Sequence, residues 1–215
     1  SGSLDENSIF YLMSRGLNYK QSKELLINGF LLDVVEKITD AQIKNDNSLI
    51  DLNNAFTNKG YKILIKKDYN LKKPLIIYHS TNSKIKSKNI NIRLEFQLEQ
   101  NSSLRLIDLF NDRAENNFIN IFYNFDLKEN AILKNYKIDK TPNKNIRYSF
   151  NNIEQGDNSV SETFVLSSGS NFSKNEINCN LKGKYSSAFV NGIFSLNDEK
   201  HHEIRTIINH LVENT

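Results

Sequence analysis

The sequence predicts a mainly β protein, a right-handed parallel β-helix with about 28 residues per coil and a small flanking α-helical segment. From Tyr61 onwards, short runs rich in Ile, Leu, Phe, Tyr and Val are each closed by polar or turn residues. These runs recur at a nearly fixed step, which is typical of a solenoid whose coils bury their apolar faces by stacking. Hydrophobic residues make up 38% of the 215 residues, which excludes a disordered chain.

Residues 1–48 predict the helical segment. Asp5 is placed to cap a short helix that stops at Arg15-Gly16. Asn18 is placed to cap a second helix, and Gln21 lies three residues on, as in a capping box. Apolar residues at helical spacing then form one stripe: Ile27, Phe30, Leu31, Val34 and Ile38. This stripe needs a partner surface, either another protein or the end of the solenoid.

Residues 49–215 predict the β-helix core. One corner repeats every 28 residues, with copies that start at Asn101, Glu129, Asp157 and Tyr185. A strand series keeps the same step and starts at Ile90, Phe118, Ile146, Lys174 and His202. The apolar alternation slips by one position in the later copies, which would turn side chains to the other face unless a bulge absorbs it. A β-sandwich is the alternative, although its strands would lack a constant register.

Asparagine supplies the turns of the predicted coils. The chain has 33 Asn against 8 Gly and 2 Pro. Codon usage of an AT-rich genome explains most of this bias, but Asn101, Asn130 and Asn158 stand at the same corner of successive coils. Asn tolerates the left-handed backbone conformation and can bond to its own turn. We therefore expect these three residues to do the work of turn glycines.

Charge and cysteine content indicate which partners and which cellular compartment to expect. Charged residues make up 25% of the chain and balance to a net charge of +3. Seven lysines between Lys66 and Lys88 form a basic stretch, for which solvated solenoid edges are a better interpretation than a nucleic-acid groove. The single cysteine, Cys179, excludes an intramolecular disulfide. Because the sequence shows neither a leader pattern nor a membrane-length apolar run, we expect a cytoplasmic location, or an organelle stroma or matrix.

The residues themselves give little support for catalysis. Phosphate-binding glycine loops, nucleophile elbows and zinc cysteine pairs are absent from the sequence. His201, His202 and His210, with Cys179 one coil away, are candidates for a metal site. Adjacent histidines in a strand point to opposite faces, however, so coil-end histidines are the favoured interpretation.

Two parts of the chain carry a family resemblance. The first contains Phe10-Tyr11-Leu12, the turn Arg15-Gly16 and the helix Leu25-Leu26-Ile27-Asn28-Gly29-Phe30, and the second runs from Leu52 to His210. Together they resemble the SufB/SufD family, the scaffold subunits of the SUF iron–sulfur cluster assembly machinery. The first part resembles the helical C-terminal region of the family, and the second resembles the β-helical body of the SufD branch.

The resemblance implies a non-enzymatic, SufD-like scaffold subunit. Its implied partners are a SufB-like subunit, which would pair through the β-helix, and a SufC-like ABC ATPase, with a homodimer as a further possible assembly. Neither nucleic acid nor a membrane is expected as a partner. ATP hydrolysis would occur in the ATPase, and the cluster would be held transiently by the complex and not by this chain alone. The residues implied in docking the ATPase are Arg15, Gly16, Ile27, Gly29, Phe30, Leu31 and Val34.

The sequence also departs from the family pattern. The Arg-Gly helical region precedes the β-helix here, whereas it follows it in the family, and the coils expected after His210 are not in this sequence. The family's Cys-Ser-His-Gly stretch is also missing, so the resemblance transfers no cluster ligand and no catalytic residue. The alternative function is a secreted-type β-solenoid that binds or cleaves polysaccharide, with Tyr123, Tyr136 and Tyr148 on one exposed face.

Overall fold

The computed structural model describes residues 10, 13–14, 18–22, 48–57, 60–82, 84–197 and 200–215. The chain divides into two compact units, Ser1–Asp51 and Leu52–Thr215. A helix, α1, spans Ser48–Phe56. The strands are β1 (Gly60–Ile65), β2 (Leu75–His79), β3 (Asn89–Leu98), β4 (Ser103–Phe110), β5 (Phe118–Leu127), β6 (Ile132–Asp139), β7 (Ile146–Gln155), β8 (Val160–Ser167), β9 (Phe172–Leu181), β10 (Ser187–Phe194) and β11 (His201–His210).

The strands wind into a parallel β-solenoid, as the sequence predicts. The odd-numbered strands form one sheet in the order β1-β3-β5-β7-β9-β11, which we call sheet A. The even-numbered strands form sheet B, in the order β10-β8-β6-β4-β2. Each strand pairs in parallel with the strand one coil away, whereas the sandwiches considered above are built from antiparallel sheets. The chain makes about five turns of about 29 residues each.

The coil length varies while the strand register stays constant. Along sheet A, Asn89 pairs with Phe118, Phe118 with Ile146, Ile146 with Phe172 and Phe172 with His201, which gives steps of 29, 28, 26 and 29 residues. The strands from β3 onward keep lengths of ten residues in sheet A and eight in sheet B, and the loops absorb the differences. The predicted constant step of 28 residues is therefore an average.

This variation explains the slip in the apolar alternation. Leu94 pairs with Tyr123, Tyr123 with Asn151 and Asn151 with Ile177, and all four face the interior. The 29-residue step from β3 to β5 shifts the inward positions from even to odd numbers without a change of face. A bulge is not needed, because the extra residue lies in a connection between strands.

Apolar side chains fill the interior of the first and middle coils. Fully buried examples on facing strands are Phe96, Phe125 and Leu106. The rings of Phe96 and Phe125 stack across one coil step with their centres 4.9 Å apart. Burying a large apolar side chain stabilises a protein by roughly 1.5–3 kcal/mol, so these stacks hold successive coils together.

Asparagine turns the chain at one corner, as predicted. Asn101, Asn130 and Asn158 have φ of 58°, 57° and 54°, in the left-handed region. The Asn130 side-chain amide donates to Asn101 Oδ1 over 2.8 Å, and Asn101 donates to Asp68 over 2.7 Å. The corner thus carries a ladder of side-chain hydrogen bonds along the coils. In the next coil the same corner is occupied by Tyr185, with φ of 60°.

The predicted capping box at Asn18 is confirmed. The Gln21 backbone N–H donates to Asn18 Oδ1 over 2.9 Å, and the Asn18 backbone N–H donates to Gln21 Oε1 over 3.0 Å. Reciprocal bonds of this kind satisfy two donors at a helix start.

The second half of α1 is fixed to sheet A by a buried amide. Asn53 is fully buried, and its Nδ2 donates to the carbonyl oxygens of Ile92 and Asn120 over 3.1 and 2.9 Å. Its Oδ1 accepts a hydrogen bond from Thr57. One side chain therefore joins the second half of the helix to two neighbouring strands, β3 and β5.

Candidate functional site

Among the described residues, no further strand covers the core at the end of the solenoid formed by β10 and β11. Ile208 of β11 pairs with Cys179 of β9 and occupies the next position in the same inward column. Cys179 is fully buried, whereas Ile208 is 39% exposed. Likewise, Phe194 of β10 is 43% exposed, although it pairs with the buried Ser167 of β8. The last described coil therefore presents core-type side chains to its surroundings.

Each of these two strands also has an open hydrogen-bonding edge. Within the described residues, β11 pairs on one side only, with β9, and β10 only with β8. Further apolar side chains around the edge are exposed, namely Ile207, Leu211 and Leu196. An exposed apolar strand edge can accept another strand, and this pairing is favourable because it satisfies backbone groups and buries apolar surface together. We call β10, β11 and these residues the terminal edge.

The histidines suggested as metal ligands do not converge. His202 is buried: its Nε2 donates to the Ser170 carbonyl over 2.7 Å, and its Nδ1 lies 2.9 Å from the Ser167 hydroxyl. His201 is exposed and stacks on Phe172, and His210 bonds to Thr215. No group of three or more metal-ligating side chains occurs in the part of the chain that the structure describes.

Cys179 lies in the interior, as a small core residue. The 28-residue step predicts Ile207 as its partner in β11, whereas the structure pairs it with Ile208. Burial raises the pKa of its thiol to about 11, so the thiol is protonated at neutral pH.

The interior also contains a buried ionic network that the sequence interpretation missed. Arg147 is 2% exposed, donates from Nη2 to Asp112 over 2.6 Å, and forms an ion pair with Asp139, whose Oδ2 lies 2.6 Å from Nη1. Asp112 accepts a further hydrogen bond from Thr81, and Asp139 accepts from Ser170. These contacts link four loops or strand ends from consecutive coils, so one guanidinium ties together the side of the solenoid where the sheet B strands end.

A second buried cluster surrounds Asp108. His79 Nε2 lies 3.1 Å from Asp108 Oδ1 and also 3.1 Å from the Tyr123 hydroxyl. Lys137 Nζ lies 3.6 Å from Asp108 Oδ2 and 3.4 Å from the centre of the Tyr123 ring. Burial lowers the pKa of Lys137 to about 8, which outweighs the attraction of Asp108. Burial, with the nearby Asp108 charge, raises the pKa of Tyr123.

The three tyrosines of the polysaccharide hypothesis do not share an exposed face. Tyr123 is fully buried in the core, and Tyr148 is 5% exposed and donates to Glu176. Tyr148 points outward but is covered, so of the three only Tyr136 is partly exposed on an outer face. That prediction is wrong because the 29-residue step from β3 to β5 places Tyr123 in the inward phase.

The predicted docking residues of the helical segment lie outside the described residues. These are Arg15, Gly16, Ile27, Gly29, Phe30, Leu31 and Val34. The described helical residues nearest to them in sequence are Ser14 and Ser22. None of the helices among the described residues is long and apolar enough to span a membrane.

The parallel coils and the terminal edge together define a β-solenoid with an exposed pairing surface. The SUF system FeS cluster assembly family, in its SufBD core domain, matches residues 1–30 and 79–215. The chain therefore belongs to the SufB/SufD family, and this membership gives it a role in SUF iron–sulfur cluster assembly. Comparisons with curated proteins and with solved structures give no match.

Proposed function

We propose that this chain is a non-catalytic, SufD-like scaffold subunit that pairs with a SufB-like subunit through its terminal edge. The observation that carries this proposal is the exposure of Ile208 in a column that is fully buried one coil earlier. A partner strand placed beside β11 would continue sheet A and cover Ile208. Family membership supports a scaffold role, because the SufB/SufD family consists of assembly components of the SUF system.

The helical segment is proposed to bind a SufC-like ABC ATPase. Support comes from the family match over residues 1–30 and from the apolar stripe around Phe30. Copurification of the tagged chain with such an ATPase tests this part. Phe30→Glu should abolish copurification, and Tyr69→Glu, at an exposed corner of the β-solenoid, should leave it unchanged. Equal recovery of the ATPase with both variants would contradict the docking role.

The chain by itself is proposed to bind no iron–sulfur cluster, and the cluster is the product of the whole complex. The described histidines and Cys179 make separate contacts, which supports this view. Anaerobic incubation with ferrous iron and sulfide should give charge-transfer absorbance for the complex with the SufB-like subunit and the ATPase, and none for the chain alone. Absorbance from the chain alone would overturn this part. The proposed location is the cytoplasm or an equivalent organelle compartment.

A further inference from the structure

The outer face of sheet B is apolar along its full width. One column of outward side chains runs across five strands in register: Tyr78, Leu109, Ile138, Leu166 and Ile193. The two residues at its ends are 67% and 54% exposed, and the three between them are partly exposed. The outward face of a solenoid strand is ordinarily polar, because the interior alone needs apolar residues.

A second apolar column lies beside the first. It consists of Ile76, Ile107, Tyr136 and Phe164, and ends at Asn191. A groove of about 340 Å³ opens where this column meets β10, and it is lined by Tyr136, Phe164, Phe189, Asn191 and Glu162. A groove with three aromatic walls is suited to an apolar anchor side chain of a partner. We call the two columns and this groove the sheet B face.

Positive charge borders one side of the sheet B face. The loops that follow the sheet B strands carry exposed basic residues at Lys84, Lys86, Lys88, Arg113, Lys140 and Lys144. Glu115 is the one exposed carboxylate among the described residues of these loops. The opposite border carries one carboxylate in the same outward row as Arg105 and Lys134, namely Glu162, which pairs with Lys134 over 3.0 Å. An occupant should therefore be acidic along one flank.

We propose that the sheet B face binds an amphipathic α-helix of a partner protein, with acidic residues along the flank that meets the basic loops. Five strands at a spacing of about 4.8 Å span about 19 Å. A helix laid across them parallel to the solenoid axis covers that distance with about 13 residues. Apolar residues at i, i+3, i+4 and i+7 would meet the two columns, and one of them would fill the groove.

The shape of the face favours a helix over a lipid surface. Interfacial membrane binding buries apolar groups about 5–10 Å deep in the bilayer. Ile138 and Leu166 are only partly exposed between their neighbours, so the columns form a flat surface and not a projecting wedge. A flat apolar sheet face packs well against the apolar stripe of a helix.

The test uses the whole chain and two synthetic peptides of about 18 residues. The peptides are covalently stapled, because isolated helices of about this length are only marginally stable in water. Both peptides carry Leu at the contact positions; one has Glu along the flank, and the other has Lys. Fluorescence anisotropy should show binding of the Glu peptide and at least roughly tenfold weaker binding of the Lys peptide. Lys140→Glu combined with Lys144→Glu should narrow the difference in affinity between the two peptides, which a merely structural role would not do.

The face itself is tested with two further variants. Tyr136→Glu, in the groove, should weaken binding of the Glu peptide by roughly 30-fold or more. Tyr78→Glu is the second variant, and it should also weaken binding of the Glu peptide. Because the Tyr78 side chain is exposed, this substitution should not disturb folding, so misfolding would not explain a loss of binding. Tyr69→Glu is the matched control and should bind normally. Absence of binding, equal binding of both peptides, or binding only to phosphatidylglycerol-containing vesicles would overturn the proposal.

Discussion

Arg147 and Asp112 lie 35 residues apart in sequence, and their side chains meet over 2.6 Å in the interior of the solenoid. The guanidinium also forms an ion pair with Asp139 and lies 4.1 Å above the centre of the Phe110 ring. Removing the cation would leave two buried carboxylates without a positive partner. The free-energy cost of these uncompensated charges exceeds the net stability that the intact ion pairs contribute. The network therefore has a direct consequence for stability.

Arg147→Met should lower the free energy of unfolding by about 3–5 kcal/mol. Urea denaturation followed by circular dichroism measures it. Lys134→Met is the matched control, because it breaks an ion pair whose partners are 39% and 41% exposed, and it should cost less than about 1 kcal/mol. If Arg147→Met fails to fold, adding Asp112→Asn and Asp139→Asn should restore folding. Similar losses in the two single variants would contradict this prediction.

Lys137 should make stability depend on pH. Its folded-state pKa is about 8, below its ordinary value of 10.5. Between these two pH values Lys137 is protonated in the unfolded chain and mostly neutral in the folded chain. Its burial therefore costs most below pH 8, and the cost is relieved as the pH rises from 8 towards 10.5. Relative to Lys137→Met, the wild type should gain on the order of 2 kcal/mol between pH 7 and 9.5.

Urea titrations of both proteins across this range measure the difference. The comparison with Lys137→Met is essential because other groups titrate in the same range. The raised pKa of Cys179, about 11 against an ordinary 9, makes stability fall above pH 9 in both proteins. A stability difference that does not change between pH 7 and 9.5 would show that Lys137 keeps an ordinary pKa.

The corner residue Tyr185 should be replaceable with a gain in stability. Its φ is 60°, in the left-handed region that strains a residue with a Cβ atom, and its side chain is 65% exposed. The side chain therefore contributes no core packing that would offset the backbone strain. Tyr185→Asn should raise the free energy of unfolding by about 0.5–1 kcal/mol. Asn130→Ala should lower it by about 1–2 kcal/mol, since it adds strain and removes the bond to Asn101. Thermal unfolding checks both signs, and a loss from Tyr185→Asn would contradict the argument.

Asn53 should be a stability determinant of the contact between the second half of α1 and sheet A. Asn53→Ala removes two buried hydrogen bonds to strand carbonyls and should cost about 1–3 kcal/mol. Asn54→Ala is the neighbouring control: Asn54 is exposed and bonds to Arg93 at the surface. Hydrogen exchange of the α1 amides should accelerate in the first variant and stay nearly unchanged in the second. Equal exchange in both would rule out the anchoring role.

The repeat and its turns were predictable from sequence because each depends on local chemistry. Strand runs carry their apolar alternation with them, and Asn marks the left-handed corners at Asn101, Asn130 and Asn158. The interior ions were harder to find. With a fixed 28-residue step Lys137 aligns with the outward Leu109, whereas its true partner is the inward Asp108, 29 residues earlier. The inward position of Arg147 could have been predicted, because a 28-residue step correctly aligns it with the inward Ile119.

The terminal edge was only partly predictable. The family resemblance implied pairing through the β-helix, but the exposure of Ile208 follows from which strand lies last in the sheet, and that requires the full register. The apolar outer face of sheet B was not predicted, although Tyr136, which lies on it, was expected to be exposed. Tyr136 and Phe164 pair in register on the outside, where sequence alternation alone does not distinguish the two faces.

The central claim is that the terminal edge pairs with a SufB-like subunit, and sedimentation velocity of a one-to-one mixture tests it most directly. The wild-type chain should form a heterodimer, Ile208→Lys should weaken it by at least roughly tenfold, and the control Tyr69→Lys should leave it intact. Circular dichroism confirms that each variant is folded. A heterodimer of unchanged affinity with Ile208→Lys would contradict the account.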